Sequence, residues 1–299
     1  MPTLKQFKYL DALDRERHYA RAAASCHISQ PALSMQIKEL ETELGIGLVE
    51  RGRGSLALTT AGKEIVRRAR SILRATDDLV DYARQADRPL SGGLRLGVIP
   101  TIAPYLLPRA LPLIRTRFPD IALELREAQT SRLLDDLTRG QLDLVLLSLP
   151  VEGPDIQTLR LFEDRFLLVR PAGDAPDERR RVDPSLLADE RLLLLSEGHC
   201  LRDQALSLCQ MADRDTLGEL GATSLTTIVQ MVANGFGVTL VPEMAIDAEL
   251  RDERTVLLRF RDPEPSRTIG LAWRRTSARK HDFVTLGQAL SELALRRDD

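Results

Sequence analysis

The segment GHCLRDQALSLC, residues 198–209, carries two of the chain's three cysteines, nine positions apart. That spacing fits neither a CxxC redox pair nor a zinc knuckle. Cys200 follows the apolar run RLLLLS (191–196) and precedes a stretch of helical character. A thiol at such a junction meets the backbone N–H groups and positive dipole end of the helix, which favour its thiolate. His199 and Arg202 add hydrogen-bonding or positive neighbours. A thiolate attacks an O–O bond and becomes a sulfenic acid, with which a second thiol condenses to a disulfide. Cys209 is the candidate for that second thiol. The alternative keeps both cysteines as small buried hydrophobes.

Distance constrains the redox reading. If residues 201–209 are helical, the two cysteines stand ~13 Å apart along the axis. A disulfide joins Cα atoms no more than about 7 Å apart. The bond therefore requires the segment to unwind, drawing Leu201, Leu206 and Leu208 out of their contacts. A crosslinked loop of this length carries roughly 2.5–3 kcal/mol of chain entropy, a sizeable share of an ordinary domain's stability.

The elements that would position this segment alternate between strand and helix. LRLGVI, IALELRE, LDLVLLSL, RFLLVR, RLLLLS, FGVTLVP, TVLLRF and TIGLAWR read as strands. Between them IAPYLLPRALPLIRTRF, SRLLDDLTRGQ and LTTIVQMVANG read as helices, and a last helix covers about 282–296. Such alternation predicts an α/β domain with a largely parallel sheet. Ligands of such sheets sit beyond the carboxyl ends of strands. Thr101 and Thr130 fall just past two such ends, either facing a small polar ligand or serving as helix caps. GHCLRD follows a third strand and would face the same cleft.

The first 60 residues differ in character. Leu4, Phe7, Leu10 and Leu13 mark one amphipathic helix, and an alanine-rich helix runs from His18 to about Cys26. Ser29 can cap a third helix with Pro31 in its first turn, and Gly45 ends it. Leu33, Ile37, Leu40 and Leu44 form its buried stripe. Pro31, Ser34 and Lys38 point outward, and Gln30 sits at the exposed start. Such side chains suit base edges and phosphates in a major groove; a solvated polar face is the alternative. GIGLVERGRGSLALTTAG reads as a two-stranded wing with Arg51 and Arg53 at its tip, placed for phosphate or minor-groove contact. Residues 1–90 carry a net charge of +3 against −5 for the remainder, a mild pointer to a polyanion partner.

From Thr60 to Ala86, Ile65, Ile72, Leu79 and Ala86 recur every seven residues, with Ala69, Leu73, Val80 and Ala83 beside them. That seam suits pairing with a second copy, or burial as one long core helix. ADRPLSGG is the expected hinge. Three cysteines in 299 residues make no disulfide framework, which fits a reducing compartment. No apolar signal region opens the chain and no run approaches 18 uncharged apolar residues, so a cytoplasmic protein without a membrane span is expected. The four histidines, at 18, 27, 199 and 281, lack ligand spacing, and no metal or cofactor is expected.

RAAASCHISQPALSMQIKELETELGIGLVER, followed by LTTAG, resembles the winged helix-turn-helix of the LysR-type transcriptional regulators across the whole unit. GHCLRDQALSLC, IPTIAPYLLPRALP and RTIGLAWR resemble the peroxide-sensing members of that family, so the likeness spans essentially the full chain. The resemblance implies a winged helix-turn-helix over 1–59, a dimerisation helix over 60–86 and a hinge over 87–93. It implies a regulatory domain over 94–299, made of two Rossmann-like subdomains as in periplasmic binding proteins. Their bounds are about 94–163 with 268–299, and about 164–267. Carried over, Gln30, Pro31, Ser34, Lys38, Arg51 and Arg53 contact promoter DNA. Cys200 is the peroxidatic and Cys209 the resolving cysteine. Thr101, Thr130, His199, Arg202 and Asp203 form the pocket for hydrogen peroxide. RNA polymerase and further copies of the chain, as dimer or tetramer, are the implied partners. A regulator answering to a small organic effector in the same cleft is the alternative; a thiol peroxidase or a solute-binding transport protein is more remote, because neither has a use for the DNA-binding head.

Overall fold

Thr3 caps the first helix by accepting from the Gln6 backbone N–H, while the Gln6 side chain returns the bond to the Thr3 backbone. This reciprocal capping starts α1 (Leu4–Glu16) in the computed structural model, which describes residues 1–50, 56–85, 90–174, 181–209 and 222–295. α2 (Tyr19–Ser25) and α3 (Gln30–Leu44) follow. α3 is opened by the Ser29 cap with Pro31 in its first turn and closed by Gly45 in the left-handed region, φ 69°. Leu10, Leu13, Ala22, Ala23, Leu33, Ile37, Leu40, Leu48 and Leu58 form one core, which the alanines of α2 allow to close tightly. Cys26 packs at its margin.

After α3 the chain forms the base of a hairpin. Val49 and Leu58 bridge antiparallel, and the Glu50 N–H donates to Ala57 O at 2.9 Å. The expected tip with Arg51 and Arg53 lies outside the described residues. α4 (Thr60–Gln85) then extends for 26 residues. Its first turns are anchored by Arg70, which donates to Asp11 at 2.5 Å and to Asp14 at 2.8 Å. Ile72, Leu79 and Val80, further along, are exposed.

The chain divides into Met1–Ala86 and Asp87–Asp299. The second unit contains, in order, β1 (Gly92–Val98), α5 (Ala103–Arg117), β2 (Ile121–Glu127), α6 (Thr130–Thr138), β3 (Leu144–Leu149), β4 (Ile156–Pro171), α7 (Cys200–Cys209), α8 (Leu225–Ala233), β5 (Thr239–Pro242), α9 (Ile246–Glu249), β6 (Thr255–Arg259), β7 (Ser266–Arg274) and α10 (Lys280–Leu295). Gly92 and Gly93, expected in the hinge, already belong to β1. The strand order is β2-β1-β3-β7-β4-β5, with β6 also on β4.

The sheet is mixed, not largely parallel. β1 pairs in parallel with β2 and β3, but β7 runs antiparallel to both β3 and β4, and β5 and β6 run antiparallel to β4. The cause lies in β4, a 16-residue strand of which only RFLLVR was expected. Its residues 156–165 pair with β7, and its residues 166–171 pair with β5 and β6. One strand thus carries the chain out of the first set of pairings and β7 brings it back, so the two must oppose one another.

The apolar clusters follow the same division. One joins β1, α5, α6 and β3 with residues of β7 and α10. Two others gather around the second half of β4. RLLLLS belongs between those two and is not a ladder strand. Leu192 and Leu194 face one cluster and Leu193 and Leu195 the other. Its extended alternation is real, but it makes only isolated parallel bridges, Leu192 to Val238 and Leu195 to Ala222. An apolar run alone does not distinguish this from a strand.

Candidate redox site and nucleic-acid surface

Cys200 is the first residue of α7, and the turn before it is set by Gly198. Gly198 has φ +89°, and a Cβ there would come within 2.7–2.9 Å of the Gln129 side-chain amide. Gln129 Nε2 in turn donates to Glu197 O at 3.2 Å, tying the end of β2's loop to the turn. Gly198→Ala should destabilise the chain by about 1–2 kcal/mol from the backbone alone, read as a lowered denaturant midpoint. An unaltered midpoint would contradict this turn.

Ile99, Pro100, Thr101, Gln129, Thr130, Gly198, His199 and Cys200 line one tight pocket. It lies where the loops after β1 and β2 meet the start of α7. Thr101 is buried, and its Oγ1 accepts from Arg267 Nη1 at 2.9 Å, while its carbonyl accepts from Nη2 at 2.9 Å. A hydroxyl oxygen engaged by a charged donor keeps its own O–H to give elsewhere. Thr130 Oγ1 is buried with no hydrogen-bond partner, a condition that costs about 1–3 kcal/mol unless a ligand relieves it. Thr130 opens α6, but the residue before it makes no side-chain cap and neither does this hydroxyl.

His199 is 7% exposed, and burial pushes its imidazole below the ordinary value. The neutral ring is therefore the native form, while the unfolded chain binds the proton more readily. Stability from this group is present above the ordinary histidine range and is lost as pH falls through about 6.5. The thermal midpoint should drop on acidification from about pH 7.5 to about pH 5.5, and His199→Gln should flatten that slope. Equal slopes would contradict it.

The structure brings Cys200, His199, Thr101 and Thr130 together. Arg202 and Asp203 are not among the residues that line the pocket: Arg202 Nη1 donates to Leu195 O at 3.2 Å, and Asp203 is exposed. Sequence reasoning passed over Arg267, Asp164, Gln129 and Gln204. Arg267 is 2% exposed, and its Nε donates to buried Asp164 Oδ2 at 2.9 Å, while Asp164 Oδ1 accepts from the Met244 backbone N–H at 3.0 Å. Gln204 Nε2 donates to Ser148 Oγ at 2.6 Å, so α7 is also tied to β3.

α7 is helical throughout its ten residues, and its side chains belong to different cores. Cys200 packs on the first cluster, Leu201 on another, and Ala205, Leu206 and Leu208 on a third. In the other unit, Gln30, Pro31, Ser34 and Lys38 are all exposed on α3, opposite the buried Leu33, Ile37 and Leu40. Among the described residues no cluster of His, Cys, Asp and Glu has the form of a metal site, and no helix is long and apolar enough to cross a membrane.

A helix-turn-helix head joined by a long helix to an α/β regulatory domain defines a class of bacterial regulators. Residues 4–63 match the family described as "Bacterial regulatory helix-turn-helix protein, lysR family", and residues 87–294 match "LysR substrate binding domain". The chain belongs to the LysR family of transcriptional regulators. Within that family it is similar to the OxyR proteins. It is 43% identical to the probable hydrogen peroxide-inducible genes activator of Streptomyces viridosporus, over 97% of this chain and 94% of that one. It is 42% identical to the DNA-binding transcriptional dual regulator OxyR of Escherichia coli K12, over 96% and 94%. A full-length OxyR variant from Pseudomonas aeruginosa superimposes with a TM-score of 0.78 at 36% identity, covering 97% of this chain and 98% of that one. A hydrogen-peroxide-bound OxyR mutant from Corynebacterium glutamicum gives a TM-score of 0.69 at 34% identity, covering 99% and 94%.

Proposed function

We propose that this chain is a promoter-binding regulator that senses hydrogen peroxide through Cys200. The observation that carries the reading is the convergence on Cys200 of two threonine hydroxyls, one with its buried oxygen unpartnered, and a neutral imidazole. That pocket is too tight for an organic acid or ring. The thiolate of Cys200 attacks one peroxide oxygen, the O–O bond breaks, and the other oxygen departs as hydroxide. Thr101, whose oxygen is already engaged by Arg267, donates toward that leaving oxygen. The product is a sulfenic acid on Cys200. The thiol of Cys209 then displaces the sulfenic hydroxyl as water, and the disulfide forms. In all, two thiols and one peroxide give one disulfide and two waters.

The helix supplies the switch. With α7 formed, its two ends stand ~13 Å apart along the axis, beyond the reach of a disulfide. Closing the bond unwinds α7 and withdraws Leu201, Ala205 and Leu206 from the cores they fill. Two copies pairing along the exposed Ile72, Leu79 and Val80 of α4 would let that change alter the spacing of two DNA heads; a tetramer extends the same logic. Cytoplasmic placement and contact with RNA polymerase accompany this reading. The test is thiol mapping by mass spectrometry after one equivalent of peroxide, with DNA footprints of both forms. A Cys200–Cys209 crosslink with an altered footprint is expected. A footprint indifferent to oxidation removes the coupling.

A further inference from the structure

Met35 is the one large apolar side chain that α3 leaves exposed, at 56%. At 100° per residue it stands opposite the buried stripe of Leu33, Ile37 and Leu40, next to the outward arc that Gln30, Ser34, Lys38 and Pro31 occupy. Pro31 lies one turn before it, Ser34 beside it, and Lys38 one turn after it, and all three are exposed. The polar groups further round are engaged within the helix: Gln36 Nε2 donates to Glu39 Oε2 at 2.7 Å, and Thr42 Oγ1 donates to Lys38 O at 2.9 Å. The outward face is therefore polar at Gln30, Ser34 and Lys38 and apolar beside them at Met35.

Base-pair edges in the major groove present donors, acceptors and a single apolar group, the C5 methyl of thymine. We propose that Met35 is a specificity-determining residue that packs on a thymine methyl in each half-site. The inference rests on the DNA-binding reading above and names what that surface selects. An unbranched thioether suits the task, because its three rotatable bonds let it follow a methyl group without a fixed hydrogen-bond geometry. Gln30, Ser34 and Lys38 supply the polar and phosphate contacts that orient it. Isolated exposed hydrophobics are common on protein surfaces; the position of this one, opposite the buried stripe and directly beside the groove-facing residues, is what assigns it a role.

The test uses the full-length reduced chain. A pool of randomised duplexes is selected on it, and the enriched duplex is resynthesised with each thymine in turn replaced by deoxyuridine, which removes only the methyl. At one or two positions per half-site the replacement should weaken wild-type binding about fourfold, the worth of one buried methyl. Met35→Ala should bind the thymine duplex about as weakly as wild type binds the deoxyuridine one, and should be insensitive to the replacement. Met35→Leu should keep the sensitivity. Identical deoxyuridine profiles for wild type and Met35→Ala overturn the proposal, as does an enriched half-site without thymine under α3. If no duplex is enriched at all, the DNA-reading role of α3 itself fails and the assignment of Met35 falls with it. Met35→Ala exchanges an exposed side chain for the best helix former, so its circular dichroism should match wild type.

Discussion

A Cys200→Ser chain should acquire no oxygen from one equivalent of peroxide at this position and should keep an unchanged footprint. A serine hydroxyl cannot ionise near neutrality, whereas the thiolate is the reacting species. The loss is expected to be complete at this site. Cys209→Ser separates the two halves of the mechanism. Cys200 keeps its pocket, so a sulfenic acid should form and be trapped by a carbon nucleophile. No crosslink closes, α7 keeps its ten helical residues, and the footprint should stay that of the reduced chain. The decisive comparison is between these two variants. If Cys209→Ser still shifts its footprint with peroxide, the sulfenic acid alone carries the signal and unwinding of α7 is not the switch. If Cys200→Ser is still oxidised and crosslinked, the reacting thiol lies elsewhere, Cys26 included.

Much of this site is legible in the sequence, and the reason is local chemistry. A thiol at the head of a helix, the hydroxyls past strand ends and the cap–proline–glycine punctuation of α3 depend on near neighbours in sequence. What escaped depends on distant ones. Arg267 reaches Thr101 across 166 positions and Asp164 across 103, and nothing in RTIGLAWR says that its arginine points inward. Arg202 and Asp203 share the motif with Cys200 yet do not line the pocket: helical rotation of 100° per residue carries Arg202 round to the Leu195 carbonyl, and Asp203, three positions on from Cys200, is exposed. The mixed sheet was missed for a related reason. Apolar runs identify strands but not their direction, and β4 was recognised only over the half that is continuously apolar. Its first half, IQTLRLFED, mixes charges with apolar residues on a partly exposed strand.

Arg267→Met should lower stability by about 3–5 kcal/mol, because it leaves the Asp164 carboxylate buried without its counter-charge. Two effects compete in reading that loss, the orphaned charge and the missing donor to Thr101. The double variant Arg267→Met, Asp164→Asn separates them. Replacing both partners of a buried ion pair by neutral groups is often close to neutral for stability. Asparagine at 164 also retains an oxygen for the Met244 N–H. The double variant should therefore recover most of the denaturant midpoint lost by the single one. Thr101, however, still lacks the guanidinium that holds both its hydroxyl and its carbonyl. The rate of Cys200 oxidation by peroxide should stay depressed in the restored fold, while alkylation of Cys200 by a neutral haloacetamide, which needs no leaving-group proton, should run near the wild-type rate. A double variant that regains stability and peroxide reactivity together would make Arg267 a packing element only, and would leave the proton for the departing oxygen to His199 or Thr130.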